Sequence, residues 1–366
     1  MKIGIMTFPD MTSYGCSLQM YALYRAVEQA GAEAEIIHYR NEYMKARHHT
    51  SAGRSGSSMK AAMHMAARKL LHLRQIAAFR NFEGRLDQYP EKVTADKHVL
   101  WESAKRYDGV ICGSDQVWNP LITDTDLSFF LDFCGPDTKR IAYAPSFGIS
   151  EFSGEFTEKI RPELEKFRHL SVREEVGVRY VESLVNHKVD TVLDPTFLIP
   201  KQDWIALEKA HPLAKGKYIF CYPVRKSAAL IRFGRELAEK KNATLIVVEG
   251  NFLTQLRNKD VRIQYALDIS PEEWLYLMHH ADCVVTNSFH GAAFSVHYQK
   301  DFFLECSSAK ANSRLEQLAA LCGLEDRIIR DSFDGANLPI DYESVEARIA
   351  PARQASLDYL NQSIWT

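Results

Sequence analysis

The sequence contains no CxxC pair, and its seven cysteines (Cys16, Cys112, Cys134, Cys221, Cys283, Cys306 and Cys322) are scattered. Several sit in apolar, strand-like stretches. An odd, dispersed set of this kind argues for reduced core thiols, and against both a zinc site and a disulfide framework. No apolar run is long enough to span a bilayer, and Met1-Lys2 leads directly into IGIMTF without the pattern of a signal peptide. The expectation is a cytoplasmic protein. An excess of charge is also missing: a formal net charge of -2 excludes a globally basic nucleic-acid binder, so no nucleic-acid partner is expected. The first strand-to-helix loop carries no GxGxxG, which leaves a nicotinamide cofactor without support. No acidic cluster looks built to hold a metal, so neither an obligatory metal nor a cofactor is expected.

Acidic residues are absent from one whole region. Between Tyr43 and Phe82 every charged side chain is basic: Lys45, Arg47, Arg54, Lys60, Arg68, Lys69, Arg74 and Arg80. The part reading HHTSAGRSGSS has the composition of a flexible segment. Met59 to Phe82 reads as a helix, with Met63, Leu70, Leu73, Ile76 and Phe79 as its apolar positions. A basic amphipathic helix can lie on an anionic membrane surface. It can equally pack on its own domain with a solvated basic side.

What is present is an ordinary globular composition, 46% hydrophobic and 25% charged, in 366 residues. That length exceeds one small core, and two domains follow. Lys2–Phe8 reads as a strand, Leu18–Ala30 as an amphipathic helix ended by Gly31, and Glu35–Tyr39 as the next strand. This βαβ opening predicts a parallel sheet. Tyr14 and Gly15 fall where the first strand's carboxyl end faces a ligand cleft, although a plain turn explains them equally. In YDGVICGSDQVW, Gly109–Cys112 is a buried strand that delivers Gly113, Ser114 and Asp115 to the functional edge of such a sheet. Asp115 there either takes a proton or sugar hydroxyl, or caps a helix. Arg140–Ala144 and Leu170–Arg173 are further strands. Arg173 ends the second, as a clamp for carboxylate or phosphate or as the partner of a nearby glutamate. Thr191–Leu198 closes the first half, and three prolines between Pro195 and Pro212 mark a boundary.

The second half repeats the alternation, with strands at Tyr218–Val224, Ala243–Glu249, Val261–Leu267 and Phe302–Cys306, and a helix at Ala228–Lys241. Ser270, Pro271 and Glu273 form a capping box for a helix running to Ala281. Ser313 and Glu316 cap another, Arg327–Arg330 reads as an edge strand, and Asp341–Ile364 as one or two helices. The resulting division is residues 1–200, with a basic helical insertion at about 43–85, then 201–340, then a helical segment at 341–366.

The stretch DCVVTNSFHGAAFSVHY, from Asp282 to Tyr298, holds the main functional candidate. Cys283–Thr286 is a short β-branched run suited to a strand buried on both faces. Asn287, Ser288, Phe289 and His290 read as a polar turn, and Gly291 opens a packed helix. Unpaired amides and a partial positive charge at such a helix start attract anions. His290 at the tip can move a proton near neutral pH, or can simply cap the helix or bond within it.

Taken together, KIGIMTFPDMTSYGCSLQMYALYRAVEQAGAEAEIIHYR, YDGVICGSDQVWNP, KRIAYAPSFG, LSVREEVG, VLDPTFLI and VVTNSFHGAAFSV resemble the polysaccharide pyruvyl transferase family, in order from Lys2 to about Cys322. The resemblance implies an α/β fold of two Rossmann-like domains facing across a cleft, GT-B-like. Phosphoenolpyruvate is the implied donor, and the implied product is a pyruvate ketal on two hydroxyls of a sugar acceptor. That acceptor is expected to be lipid-linked, with the protein peripheral at the inner face of the membrane. His290 is then the acid, Asp115 assists, and Arg173 with the turn from Asn287 through Gly291 binds the donor. Tyr14, Gly113 and Ser114 complete the candidate site. Many members carry an arginine two residues before the histidine, where this chain has Ser288. Arg225, Lys226 and Arg314 are the replacement cations. Two other functions suit the same architecture: a nucleotide-sugar glycosyltransferase, or a non-catalytic glycan-binding assembly protein.

Overall fold

The computed structural model describes residues 1–49, 73–248, 258, 260–306, 313–329 and 339–366. The described residues of Met1–Gly53, Glu83–Ile199 and Ala350–Thr366 form one compact unit, and those of Arg54–Phe82 and Pro200–Ile349 a second.

Among the described residues the first unit holds strands β1 (Lys2–Met6), β2 (Glu33–Tyr39), β3 (Gln88–Thr94), β4 (Gly109–Cys112), β5 (Lys139–Ala142), β6 (His169–Val172) and β7 (Asp190–Thr191). They pair in parallel in the order β3-β2-β1-β4-β5-β6-β7. The strands are apolar on both faces because helices cover both. Ile3, Ile5, Ile111 and Ile141 pack with Met20, Leu23 and Val27 of the Tyr14–Gln29 helix and with Leu360 and Ile364. Their neighbours Met6, Val110, Cys112 and Ala142 point the other way, into a core with Trp118, Phe129, Ile160 and Leu164. Ordinary strand alternation thus sorts one hydrophobic run into two cores.

The second unit contains β8 (Tyr218–Tyr222), β9 (Thr244–Val248), β10 (Ile263–Ala266), β11 (Cys283–Thr286) and β12 (Phe302–Leu304), parallel in the order β10-β9-β8-β11-β12. One face carries Ile219, Cys221, Leu245, Val285 and Phe303 against Leu230, Phe233 and Leu237. The other is aromatic: Trp274 stands edge-on to Phe220, Tyr222 and Phe294 at 5.9, 5.2 and 5.4 Å between ring centres. The capping box at Ser270 is present, with the hydroxyl of Ser270 accepting from the Glu273 N–H and the Glu273 carboxylate accepting from the Ser270 N–H.

Some elements differ from the sequence expectation. The first helix begins at Tyr14, four residues early, because Ser13 is extended and serves as its N-terminal boundary. In place of an edge strand at 327–330, a 3-10 turn covers Glu325–Arg327 and Ile328 makes a single bridge to Leu304; residue 330 lies outside the described residues. The buried guanidinium of Arg327 is tied to Asp301 at 2.6 Å, which holds this stretch in a turn. Most of the basic insertion, including Met63 and Leu70, also lies outside the described residues. From its described part, a helix at 73–83, Phe79 is buried and Leu73 is 53% exposed. The chain's last helix is continuous, Tyr342–Trp365. No helix among the described residues is long and apolar enough to cross a membrane. The described cysteines are free thiols, all buried except the half-buried Cys306.

Candidate active site

In the second unit the carboxyl edge of β11 is assembled by short polar bonds. The Thr286 hydroxyl donates to the Tyr222 carbonyl at 2.7 Å and accepts the Ser288 N–H at 3.0 Å. Asn287 accepts from the N–H groups of Val224 and Arg225 at 2.9 and 3.2 Å, and donates to the Arg225 carbonyl and to Glu305 at 2.9 and 3.0 Å. Glu305 also accepts from Ser227 at 2.5 Å. One asparagine therefore ties the loop after β8 to the end of β12, and its first role is architectural. The same bonds fix the backbone of Arg225, whose side chain is exposed.

The helix after β11 runs Phe289–His297, so it starts before Gly291. Ser288 is its cap, its hydroxyl accepting the Gly291 N–H at 3.2 Å. Phe289 and His290 consequently belong to the first helical turn and not to a preceding loop, and capping is the task of Ser288 and not of His290. That shift keeps His290, 8% exposed, at the end of the helix where unpaired amides and partial positive charge concentrate. Gly291 is needed for space: a Cβ there would stand 2.4 Å from the Thr286 hydroxyl oxygen. Gly291→Ala should push that hydroxyl off its partners and cost about 1–3 kcal/mol of stability, measurable by urea unfolding. Helix starts also follow β8, at Ala228 beneath the Ser227 cap, and β12, where Arg314 is the second residue of the Ser313–Cys322 helix.

In the first unit, β4 is followed by Gly113, whose φ of +130° and a would-be Cβ only 2.0 Å from the Tyr143 carbonyl oxygen exclude any other residue. Asp115 follows with φ +72°, a left-handed conformation that costs a non-glycine residue roughly 1–3 kcal/mol. It caps no helix; Asn119 caps the next one, Pro120–Thr123. Instead the Asp115 carboxylate accepts the Gln116 N–H at 2.8 Å and the Cys16 thiol at 3.0 Å, and lies 3.5 Å from Arg173. Burial and then Asp115 push the Cys16 thiol far up, which makes it a poor nucleophile. Ser114 donates to the Ala144 carbonyl at 3.2 Å. Tyr14 is buried as the first residue of its helix.

Arg173, its side chain 3% exposed, also meets Asp194 at 2.5 Å. Burial works against its charge, but Asp194 and then Asp115 outweigh it and hold the guanidinium above its ordinary range. The closest carboxylates to the guanidinium are thus two aspartates, and neighbouring Glu174 adds a weaker attraction. Glu174 accepts from Ser146 at 2.7 Å and the Phe147 N–H at 3.1 Å. Asp194, Cys16 and Glu305 carry much of this architecture without having been singled out in the sequence. The Asp-Pro-Thr run was the available signal for Asp194, whose carboxylate accepts from the N–H and hydroxyl of Thr196 at 3.1 and 2.8 Å.

Glu83 was likewise missed. It is buried against the first helix, accepting from Ser17 at 2.6 Å and the Asp10 N–H at 2.8 Å, and burial pushes its carboxyl up to about 7. The folded state keeps a proton that the unfolded state releases near 4.5. Its contribution is thus whole below that pH and is lost as pH rises through about 7. Glu83→Gln should gain roughly 2–3 kcal/mol relative to wild type between pH 4.5 and 7.5. Equal shifts at both pH values in urea titrations would show that the carboxyl is ionised throughout.

Two Rossmann-like parallel sheets, each presenting polar side chains at its carboxyl edge, define an α/β protein of the GT-B type. Solved structures of this fold align over nearly the whole chain. A putative UDP-N-acetylglucosamine 2-epimerase from Listeria monocytogenes matches with a TM-score of 0.51 at 9% identity, covering 99% of this chain and 90% of that one. The UDP-GlcNAc 2-epimerase from Neisseria meningitidis, bound to UDP-GlcNAc, matches with a TM-score of 0.51 at 9% identity, covering 97% and 94%. These likenesses show the fold alone. The sequence finds no match among curated proteins. Residues 14–304 match the family model of polysaccharide pyruvyl transferase, and the chain belongs to that family. It is accordingly a transferase of polysaccharide biosynthesis.

Proposed function

We propose that this protein moves the enolpyruvyl group of phosphoenolpyruvate onto two hydroxyls of one sugar, closing a pyruvate ketal and releasing phosphate. The observation that carries this reading is the seating of His290 in the first turn of the helix after β11, where an imidazole and a helix start share one place. Protonation of the donor's methylene carbon makes the adjacent carbon electrophilic. A sugar hydroxyl attacks that carbon, phosphate departs, and the second hydroxyl closes the ring at the same carbon. His290 supplies the proton, and the amides of the first turn favour the departing anion. Asp115 holds or deprotonates a sugar hydroxyl, and Arg173 keeps that aspartate in place.

Ser288 stands where many relatives have arginine, so this reading assigns a donor contact to Arg225 or Arg314 in the same unit. A lipid-linked acceptor, and action at the cytoplasmic face of a membrane, fit the acid-free basic run from Tyr43 to Phe82. Donor identity is testable by thermal unfolding, because a ligand that binds only the native state raises Tm by mass action. Phosphoenolpyruvate should raise it and a UDP-sugar should not; the reverse would make the protein a nucleotide-sugar enzyme.

A further inference from the structure

The second unit contains a cluster of imidazole and carboxylate groups remote from His290 along the fold. Glu208 ends the Lys201–Leu207 helix, while His279 and His280 end the Pro271–His279 helix shortly before β11 begins. The cluster therefore belongs to the amino edge of the five-stranded sheet, whereas His290 follows that strand's carboxyl end. Nδ1 of His279 lies 2.8 Å from one Glu208 oxygen, and Nε2 of His280 lies 3.4 Å from the other. One donor atom from each of the three residues falls within 4.8 Å of the others.

We infer that Glu208, His279 and His280 bind a divalent metal ion of the zinc class, which joins the ends of two helices. Two imidazoles and one carboxylate are a normal protein ligand set for zinc, whose bonds of about 2.0–2.2 Å place tetrahedral donors roughly 3.4 Å apart. A second observation separates this from a simple ion pair. The Glu208 side chain is only 7% exposed, yet its Oε1 and the facing Nδ1 of His279 are both buried without an aligned hydrogen bond. Tyr298 also donates a hydrogen bond to the Glu208 carboxylate, and with the proton of His279 on Nε2 the Nδ1 lone pair faces the Glu208 oxygen.

The rings are also held in place, as ligating histidines are by their surroundings. Tyr298 stacks on His279 at 4.5 Å and 18°, and Tyr276 lies against His280 at 4.1 Å and 34°. The charge of Lys300 is directed at the His279 carbonyl oxygen, 2.5 Å away. His280, 46% exposed, leaves the open side where water can complete the coordination.

The test uses the full-length chain, freed of any affinity tag and stripped of metal, with Zn2+ as the probe. Equilibrium dialysis should give one bound equivalent at micromolar free Zn2+, together with a rise in Tm. Co2+ in its place should give the visible absorption of a tetrahedral site. Glu208→Gln and His280→Ala, each checked for an unchanged circular dichroism spectrum, should each weaken Zn2+ binding at least tenfold and abolish the rise in Tm. Should Glu208→Gln destabilise the fold, the exposed His280→Ala decides alone. Zn2+ uptake that is substoichiometric in the wild type, or equal in wild type and variants, overturns the inference and leaves an ordinary histidine–glutamate pair.

Discussion

His290→Ala should lower turnover by about 10²- to 10⁴-fold, far out of proportion to any fall in Tm. The loss of rate follows from removing the proposed proton donor, and the smaller effect on stability from position. His290 occupies the first turn, where its side chain supports neither the cap, which is Ser288, nor the close contact of Gly291 with Thr286. Loss of an interaction made only in the transition state reduces kcat and kcat/KM together, and leaves donor affinity nearly unchanged. Steady-state phosphate release with saturating acceptor separates these cases. Near-normal kcat in His290→Ala would remove the imidazole from the chemistry.

Arg173→Ala should have the largest effect on stability, about 3–5 kcal/mol, because it leaves a buried carboxylate without its cation. Asp194, with a fully buried side chain, would keep hydrogen bonds from Thr196 and Ser114 but lose the guanidinium that balances its charge. Asp115 would lose the guanidinium 3.5 Å away while still held in its left-handed conformation. Arg173→Lys is not a conservative change, since a point charge cannot serve two carboxylates as a planar fork does. Urea unfolding of Arg173→Met, Asp194→Asn and the double variant gives the coupling. A double variant more stable than Arg173→Met would show that the stranded charge causes the loss. Additive effects would mean that the two groups do not support each other.

The alternating pattern of buried strands and capped helices was largely legible in the sequence, since strand and helix periodicities are local properties. β11 and the capping box at Ser270 came out with their residues intact. The helix starts at Tyr14 and Phe289 did not, because aromatic and glycine residues beside a serine suit a turn and a first helical turn alike. Bonds between distant segments were harder still. The Arg173–Asp194 pair joins the ends of different strands, and Glu208 meets His279 across some seventy residues of chain. Such pairs have no spacing to betray them and appear only when the fold brings them together. Glu83 was hidden for another reason: a lone glutamate carries no motif, and only the fold shows that the first helix encloses it.

The most direct measurement is mass spectrometry of a lipid-linked or model glycan after incubation with phosphoenolpyruvate. The acceptor should gain the mass of pyruvic acid less one water, with one phosphate released per modified sugar, and His290→Ala should abolish both. An acceptor panel that stays unmodified, or phosphate release without any gain in glycan mass, would contradict ketal transfer.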